Sequence, residues 1–486
     1  MQIDFVYSVT FNFQLSTRNF PLEAPISLIT FPSGARLHFV GIGGVGLSAI
    51  ARVLLERGCH ISGSDRAPGA YAEALARDGA LIFSGHDAAN VTGADAVIIS
   101  SAVHSNPEVA AARAAGIPVY KRSDMIAGLM DGQTVIAVAG SHGKTTTTAM
   151  IAHILSAAGL QPGYIIGGTL KSTGVNASAG AGRVFVIEAD EYDHMFLGLR
   201  PNVAVVTNVE WDHPDFFRTP DVFYAAFAQF AALLPSDGLL IACADDAGAQ
   251  RLAEEQSGRV EVLTYGADVP SGWVLRDVQA VDGCYHADGV DAGRTVARLE
   301  LAVPGRVNLL NAAAAVIAAQ RVGVPPAGAA AALATFTGVG RRFDLIGEAA
   351  GIAVVDDYGH NPAKIRATLA AARARYSERD IWAVWQPHTF SRTQTFLAQY
   401  AEAFGDANHV LVTEIYAARE APVPGVTGAA VAAALRHDDA RFTPSFAAAV
   451  DTLAGEARPP AAVVLLSAGD ANRIGPALLT CLREAS

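Results

Sequence analysis

The sequence is poor in cysteine, in basic residues and in long apolar runs, and each shortage excludes a class of protein. Its four cysteines lie far apart without a CxxC pair, which excludes a disulfide framework and a zinc knuckle and is typical of a reduced cytoplasmic protein. Lysine and arginine number 35 against 47 acidic residues, giving a formal charge of -12, and they do not cluster, so we expect no nucleic-acid partner. No apolar run approaches the roughly 18 residues that a membrane helix needs, so we expect no membrane partner.

What the sequence does contain is a repeated alternation of apolar strands, glycine turns and helices. Its 486 residues, 51% of them hydrophobic, suggest three units at roughly 100 to 200 residues per domain. Apolar runs that stop abruptly in polar groups are typical of buried parallel strands. We therefore predict an α/β protein with three domains: a Rossmann-like domain over residues 36–128, a central P-loop-type domain with a mainly parallel sheet over 129–337, and a second Rossmann-like domain over 338–486. Residues 1–35 form an N-terminal extension of unknown role, in which we recognise no signal peptide.

The stretch TVIAVAGSHGKTTTTAM, residues 134–150, has the form of a phosphate-binding loop. An apolar strand runs into a glycine turn, and Lys144 and Thr145 follow at the start of a helix. Backbone N–H groups of such a turn wrap an anion, the helix N-terminus adds partial positive charge, and the ammonium neutralises the outer phosphates. The spacing departs from the G-x4-G-K-[ST] loop because Val138 occupies the first glycine position. The alternative is a threonine-rich helix start after a buried strand.

Acidic residues follow two further strands of the central block. EADEYD supplies Glu188, Asp190, Glu191 and Asp193, and a later strand ends near His213. Magnesium prefers oxygen ligands, and acids at strand ends beside a nucleotide commonly face the ion. We predict a magnesium site here, with the hydroxyl of the phosphate-loop threonine as a further ligand; the alternative is a solvated acidic loop with a structural histidine.

The motif GIGGVG follows the first strand and places Gly41, Gly43 and Gly46 in a G-x-G-x-x-G turn, with Asp65 at the end of the next strand. By itself this pattern favours a dinucleotide. The glycine pattern indicates only that the backbone can approach a pyrophosphate, and a nucleotide sugar also contains one. A tight turn that needs small residues for packing is the remaining alternative.

In the predicted third domain, two apolar strands end in the polar segments DDYGHNP and QPHTFSRT. An arginine offers a planar fork for a carboxylate, and a histidine can accept a proton near neutral pH. The arginine pair at 341 and 342, beside the glycines of TGVGRR, is either surface charge or a pair of cations that close over phosphate. On composition alone these polar groups could equally be surface loops.

Taken together and in this order, the motifs resemble those of the Mur ligases. The similarity runs from about Leu37 onward and includes GIGGVG, GSHGKTT, EADEYD, TNVEWDH, GRVNLLNA, GVGRRF, DDYGHNP and QPHTFSRT. The resemblance implies a first domain for a UDP-sugar, a central ATPase domain and a third domain for the incoming amino acid. It further implies an ATP- and magnesium-dependent ligase of peptidoglycan precursor synthesis, which joins L-alanine to the carboxylate of UDP-N-acetylmuramate through an acyl phosphate. Such an enzyme is expected in the cytoplasm, as a monomer or weak homodimer.

The resemblance also implies roles for individual residues. Catalysis is expected to depend on Lys144, His360 and Arg342. The ATP site comprises Gly140, Ser141, His142, Gly143, Lys144, Thr145, Thr146 and Asn311. The UDP-sugar site comprises Gly41, Gly43, Gly44, Gly46, Asp65 and Ser101. The amino acid is expected to contact Tyr358, His360, His388 and Arg392, and the metal Thr145, Glu191 and His213.

The sequence departs from the family pattern at three positions and leaves three activities open. Val307 and Asn361 stand where histidine is frequent and Thr389 where arginine is frequent, so no role carries over to them. No lysine lies between Lys171 and Lys364, so the carbamylated lysine of several sister ligases has no counterpart. The alternatives to alanine ligation are a ligase that joins UDP-N-acetylmuramate to a preformed tripeptide and, on GIGGVG alone, a nicotinamide-dependent dehydrogenase.

Overall fold

The computed structural model describes residues 28–100, 103 and 105–484, which form three sheets with helices packed against them. The predicted α/β class with mainly parallel sheets is confirmed. Nothing in the described part of the chain forms a helix long and apolar enough to cross a membrane. The four cysteines are free thiols.

The first domain is a parallel five-stranded sheet in the order β3-β2-β1-β4-β5. Its strands are β1 (Arg36–Val40), β2 (His60–Asp65), β3 (Leu81–Ser84), β4 (Ala96–Ile99) and β5 (Val119–Lys121). Its helices are α1 (Val45–Glu56), α2 (Ala70–Arg77), α3 (Pro107–Ala114) and α4 (Arg122–Met125). Residues 1–27 of the predicted extension lie outside the described residues. Residues 28–35 pack on this domain, where Ile29 and Phe31 contact the apolar core.

The central domain is a ten-stranded sheet in the order β15-β14-β13-β12-β11-β10-β6-β9-β7-β8. Its strands are β6 (Thr134–Ala139), β7 (Gly163–Leu170), β8 (Val175–Ser178), β9 (Val184–Glu188), β10 (Val203–Val206), β11 (Leu239–Cys243), β12 (Glu261–Gly266), β13 (Trp273–Val281), β14 (Cys284–Asp291) and β15 (Arg294–Glu300). Its helices are α5 (Lys144–Ala157), α6 (Pro220–Ala232), α7 (Ala247–Gln256), α8 (Val307–Arg321) and α9 (Pro326–Leu333).

The polar, turn-rich stretch 258–295 extends this same sheet at its edge. Strand β12 pairs in parallel with β11, and the antiparallel strands β13 to β15 continue the edge. The exposed outer half of β13 explains the polar composition, because only its first three residues are buried. Strands exposed on one face carry polar residues there, which weakens the apolar signal in the sequence.

The third domain is a six-stranded sheet in the order β16-β17-β21-β18-β19-β20, antiparallel only at β16. Its strands are β16 (Asp344–Ala349), β17 (Ile352–Asp357), β18 (Asp380–Trp385), β19 (His409–Val412), β20 (Ala440–Phe442) and β21 (Ala461–Leu466). Its helices are α10 (Pro362–Arg375), α11 (Phe390–Thr395), α12 (Leu397–Ala401), α13 (Gly428–Ala434), α14 (Phe446–Glu456) and α15 (Ile474–Glu484).

Apolar contacts hold the three domains against one another. One buried core cluster is continuous across the first and central domains. Trp211 of the central domain belongs to the border of that cluster and also packs edge-to-face on Phe396 of the third domain, with ring centroids 5.4 Å apart. This packing brings the carboxyl ends of β1, β6 and β17 toward one cleft, as expected for ligand sites of open parallel sheets.

Candidate active site

A cleft of about 760 Å³ lies where the three domains meet, a volume within the range of ligand pockets. It gathers most of the predicted site residues: Gly41, Gly44, Gly46, Ser141, His142, Gly143, Lys144, Thr145, Thr146, Glu191, His213, Asn311, Arg342, Tyr358, His360, His388 and Arg392. Gly43, Asp65 and Gly140 do not line the cleft, but Gly43 is bonded to Asp65, and the carbonyl of Gly140 accepts from Lys144. Ser101 lies outside the described residues.

The phosphate-loop prediction corresponds to a strand, a glycine turn and a helix. Gly140 and Gly143 take positive φ angles of 138° and 81°, and added side chains there would collide with Thr207 and Asn311. Helix α5 begins at Lys144 without a side-chain cap, so its first N–H groups have no intrahelical partner and remain suited to an anion. Asn311, predicted near adenine, packs against this turn.

The ammonium of Lys144 lies in a ring of oxygens. It donates to the carbonyl of Gly140 and lies 2.8 Å from one carboxylate oxygen of Glu191, which is 1% exposed. Burial lowers the pKa of Lys144, but the charges of Glu191 and Glu188 outweigh it and leave that pKa raised. Burial in turn raises the pKa of Glu191, and Lys144 and His213 bring it below its usual value. Both groups are therefore charged at neutral pH.

Oxygen donors suited to magnesium lie beside this lysine. The hydroxyl of Thr145 is 3.2 Å from Glu188 and 3.0 Å from the guanidinium of Arg342, and both carboxylate oxygens of Glu191 lie beside the ammonium of Lys144, at 2.8 and 3.1 Å. No group of three or more His, Cys, Asp or Glu side chains within the described residues is arranged to hold a metal alone. Magnesium is usually held by one or two carboxylates, water and substrate phosphates, so these oxygens fit such an ion.

The predicted metal ligand His213 lies between Glu191 and Arg392. Its Nε2 lies 3.4 Å from Glu191, and its Nδ1 is 3.1 Å from a guanidinium nitrogen of Arg392. Arginine can only donate, so Nδ1 accepts and the proton of the neutral ring sits on Nε2. Binding of a metal at Nε2 would require the proton to move to Nδ1, facing Arg392.

The glycine turn of the first domain is held by its own protein partners. The N–H groups of Gly41 and Ile42 donate to the carbonyl of Ser64, and that of Gly43 donates to Asp65 at 3.0 Å. Asp65 thus fixes the turn from behind. The start of helix α1, which again has no side-chain cap, faces the cleft with Gly44 and Gly46.

Arg122, which the sequence analysis did not identify, supplies the positive charge of this turn. One of its nitrogens lies 2.9 Å from the position that a Cβ on Gly46 would take, and another donates to Asp190 of the central domain at 2.7 Å. No motif surrounds Arg122 in the sequence. Its role depends on the docking of α4 against the acidic segment that follows β9.

The third domain closes the cleft with aromatic and basic side chains. Arg342 reaches the hydroxyl of Thr145 and lies over the ring of Tyr358, 4.7 Å from its centroid. The Nδ1 of His360 donates to the carbonyl of Tyr358, which leaves Nε2 as the acceptor. Burial, reinforced by Lys364 and Arg392, holds the pKa of His360 well below its usual value. Its imidazole is therefore neutral.

Lys364 is a second residue that the sequence did not single out. It lines the cleft from the first turn of α10. Burial lowers its pKa to about 8; Asp212 opposes this shift, and the cations Lys144, Arg342 and Arg392 add to it. A fraction of this amine is therefore neutral near physiological pH.

A buried ion pair joins the central and third domains. Arg392 donates to Asp212 at 3.0 Å, and the two side chains are 3% and 2% exposed. Burial raises the pKa of Asp212, but Arg392 and His213 leave it well below its usual value. Asn361, one of the departures from the family pattern, caps α10 and also donates to Asp212 at 3.3 Å.

Val307 and Thr389, the other two residues that depart from the family pattern, line the cleft. Val307 begins α8 and is half exposed. Thr389 has a φ angle of 64° and a buried hydroxyl with no partner among the described residues. Left-handed backbone is unusual for a β-branched residue and marks a constrained turn before α11.

Three family models match consecutive parts of this chain. They are the Mur ligase family, catalytic domain, over residues 36–134; the Mur ligase middle domain over 138–319; and the Mur ligase, glutamate ligase domain over 341–469. Together they span well over half of the sequence. The resemblance drawn from the motifs is confirmed.

Individual relatives are similar over nearly the whole chain. A curated UDP-N-acetylmuramate–L-alanine ligase of Paenarthrobacter aurescens strain TC1 is 45% identical over 94% of this chain and 99% of its own length. A crystal structure of a UDP-N-acetylmuramate–alanine ligase from Thermotoga maritima superposes with a TM-score of 0.78 at 28% identity, covering 93% of this chain and 100% of that one. A murein peptide ligase from Psychrobacter arcticus reaches a TM-score of 0.70 at 25% identity, with coverage of 93% and 99%.

Proposed function

Because this chain belongs to the Mur ligase family, we propose that it is an ATP-dependent ligase that joins L-alanine to the carboxylate of UDP-N-acetylmuramate in peptidoglycan precursor synthesis. The observation that carries the proposal is the contact between Arg342 and Thr145 at 3.0 Å, which joins the amino-acid side of the cleft to the phosphate loop. Phosphate transfer and amide formation can then take place in one enclosed volume. The high similarity to alanine ligases favours alanine over a preformed tripeptide.

Charge neutralisation is the first task of the site. A carboxylate that attacks a phosphoryl group forms an acyl phosphate, and two unit anions 4 Å apart repel by about 1 kcal/mol in water but about 4 kcal/mol at an effective dielectric of 20. Arg342 contacts the hydroxyl of Thr145, the residue after Lys144, and these two cations can offset the repulsion. ATP supplies the phosphoryl group, and magnesium, held by oxygens of Thr145, Glu188 and Glu191, would add positive charge.

The amine must lose a proton before it attacks. His360 is the base that we propose, because its Nδ1 donates to the carbonyl of Tyr358 and, among the described residues, no hydrogen bond occupies its Nε2. Replacing it in His360→Gln should lower kcat about a hundredfold. The acidic limb that His360 causes lies below pH 6.5, since its pKa is lowered, and should disappear from the pH-rate profile of the variant. An unchanged rate and limb would remove His360 from this role.

The first-domain turn is proposed to bind the UDP-sugar, with the pyrophosphate at the start of α1 and Arg122 as its cation. We also propose that the enzyme works in the cytoplasm as a monomer or weak homodimer.

The decisive experiment is ATP-dependent phosphate release with UDP-N-acetylmuramate and one of L-alanine, glycine, L-serine or the tripeptide. We expect release with L-alanine and a product whose mass equals UDP-N-acetylmuramate plus alanine minus water. Release with the tripeptide alone would identify a recycling ligase. Nicotinamide reduction with a hydroxy acid, without phosphate release, would identify a dehydrogenase.

A further inference from the structure

Six lysine and arginine side chains of the described residues line the cleft between the domains, and five of them have a hydrogen-bond or ion-pair partner in the protein. Those five are Arg122, Lys144, Arg342, Arg392 and Arg419, with the partners Asp190, Glu191, Thr145, Asp212 and Asp215. The ammonium of the sixth, Lys364, makes neither a hydrogen bond nor an ion pair within the described part of the chain. The cleft therefore holds one cation without a counter-charge of its own.

An ammonium without a partner is costly at this position, because Lys364 is largely withdrawn from water. Burial lowers the pKa of Lys364 to about 8, and Asp212 opposes this shift only in part. Asp212 is itself bound by Arg392 at 3.0 Å and by Asn361 at 3.3 Å. An anionic group of a substrate is the counter-charge that this arrangement lacks, and such a group would favour the protonated amine.

Helix α10, which carries Lys364 in its first turn, begins beside the phosphate loop. The N–H of Lys364 donates to the side chain of Asn361, the residue that caps the helix, at 2.9 Å. The amide nitrogen of the same Asn361 side chain lies 3.4 Å from Nδ1 of His142 in the phosphate loop. Burial chiefly lowers the pKa of His142, and Lys364 lowers it further, so the charge of this lysine reaches the loop.

The opposite end of α10 is also held by the central domain. Arg375, its last residue, donates to the carbonyl of Asp282 at 2.6 Å, in the turn between β13 and β14. A Cβ on Gly283 of that turn would collide with the backbone of Arg375, so the two elements are in close contact. The helix is thus fixed against the central domain at both ends, and Lys364 is already placed before a ligand binds.

The phosphoryl group in transit is the anion that suits this place in the cleft. The charges of Lys144 in the phosphate loop and of Arg342, which contacts Thr145 at 3.0 Å, both act on Lys364. A phosphoryl group in transfer spreads its charge over three equatorial oxygens, so several cations can contact it at once. The 35 basic residues of the chain include only four lysines, and two of these line the cleft, where a compact ammonium suits a phosphate oxygen.

We propose that Lys364, together with Lys144 and Arg342, binds the phosphoryl group while it passes from ATP to the carboxylate of UDP-N-acetylmuramate. This inference rests on the proposed ligase function and deepens it. In this step a carboxylate oxygen attacks the γ-phosphorus, the bond to the β,γ-bridging oxygen breaks, and ADP leaves with the electron pair. Lys364 keeps its proton throughout and contributes only its charge.

The test separates phosphoryl transfer from amide formation by supplying hydroxylamine in place of L-alanine. Hydroxylamine is uncharged at neutral pH and has no carboxylate, so it needs neither a base nor an amino-acid site. Its nitrogen attacks the acyl carbon, phosphate leaves with the electron pair, and loss of a proton from the nitrogen gives a hydroxamate. The iron(III) complex of this hydroxamate reports how fast the acyl phosphate forms.

Lys364→Met removes the cation and keeps an unbranched side chain, whereas Lys364→Arg keeps the charge. Arg366→Met is the matched control, because Arg366 is an exposed residue of the same helix that does not line the cleft. We expect Lys364→Met to lower kcat/KM for ATP in hydroxamate formation about a hundredfold, as removal of one preorganised donor does, and Lys364→Arg to lower it less. Ligation of L-alanine should fall by the same factor, and the control should match the wild type.

Chemical modification of the wild-type enzyme tests the same contact without a variant. Because the chain has only four lysines, acetylation of each by acetic anhydride can be followed by peptide mass spectrometry. UDP-N-acetylmuramate with an ATP analogue whose β,γ-bridge is an imido group should suppress acetylation of Lys364. The same sugar nucleotide with ADP, which has no γ-phosphate, should leave it reactive. Lys171, which pairs with Asp344 and does not line the cleft, is the internal control.

Hydroxamate formation by Lys364→Met at the wild-type rate would overturn the proposal. If alanine ligation alone fell in that variant, Lys364 would belong to the amine step instead. Equal acetylation of Lys364 with ADP and with the imido analogue would also overturn the proposal, even if the methionine variant did not fold. A wild-type enzyme that forms no hydroxamate from ATP and UDP-N-acetylmuramate would refute the proposed ligase function, and this inference with it.

Discussion

The two glycine turns of this protein share one backbone design and differ in where their positive charge comes from. Each follows a buried parallel strand and leads into a helix that starts without a side-chain cap. In the central domain the cation, Lys144, is part of the turn itself. In the first domain it is Arg122, which comes from a helix far along the chain. Backbone geometry thus suits an anion at the helix start in both, and we propose that the surrounding side chains decide which anion each turn favours.

The origin of the charge also decides how the domains are coupled. Lys144 is neutralised within its own domain by Glu191, 2.8 Å away. Arg122 is neutralised by Asp190 of the neighbouring domain, 2.7 Å away. We therefore expect a ligand at the first turn to act on a contact between domains, and a ligand at the second to act on a contact within one domain.

The largest effect should follow from removing the cation of the central turn. Lys144→Met should reduce kcat/KM for ligation by at least about a hundredfold, because the attacking and transferred groups lose their fixed counter-charge. The same change leaves Glu191 buried without its partner. Initial rates at saturating UDP-N-acetylmuramate measure the loss.

Arg251→Met is the control for that measurement, because it also removes one positive charge from the central domain, from a side chain that is 60% exposed. Its rate should equal that of the wild type. A Lys144→Met enzyme that works near the wild-type rate would refute the phosphate-loop assignment. It would also refute the comparison between the two glycine turns.

A smaller and more selective effect is expected at the first turn. Arg122→Met should raise the KM for UDP-N-acetylmuramate about tenfold, since one charge-assisted contact is lost, with a smaller change for ATP. The exposed Arg113 of α3 provides the control variant Arg113→Met. If the KM for ATP rose more than that for the sugar nucleotide, Arg122 would belong functionally to the central turn.

The smallest effect should come from the backbone of the first turn. A methyl group at Gly43 would lie 2.8 Å from an oxygen of Asp65, whereas at Gly44 the nearest atom is 3.5 Å away. Gly43→Ala should therefore lower the free energy of unfolding by about 1 kcal/mol through displacement of Asp65, and Gly44→Ala should leave it unchanged within about 0.5 kcal/mol.

Denaturant unfolding of the two unliganded variants measures this difference. Equal stability of Gly43→Ala and Gly44→Ala would mean that Asp65 moves aside freely and does not fix the turn.

Several features of the site were predictable because they are local in the chain. The phosphate loop is a strand, a turn and a helix start within seventeen consecutive residues, and every part of that pattern has its own sequence signal. The acids after β9 and the histidines of the third domain follow apolar strands in the same way. The metal and substrate roles of individual residues remain predictions that the proposed variants test.

Other features had no local signal. The stretch 258–295 continues the central sheet, although its half-exposed strands lack a continuous apolar run in the sequence. Arg122 stands in an ordinary polar segment.

The sequence by itself determined the α/β class, the two glycine turns and the family, because strand periodicity, glycine spacing and motif order are properties of neighbouring residues. Only the tertiary structure decided which charges meet. Asp212 and Arg392 are 180 residues apart in the chain and 3.0 Å apart in space. Such a pair forms because three separate sheets pack with their strand ends toward one cleft, and no pattern within any one of them specifies how the others will dock.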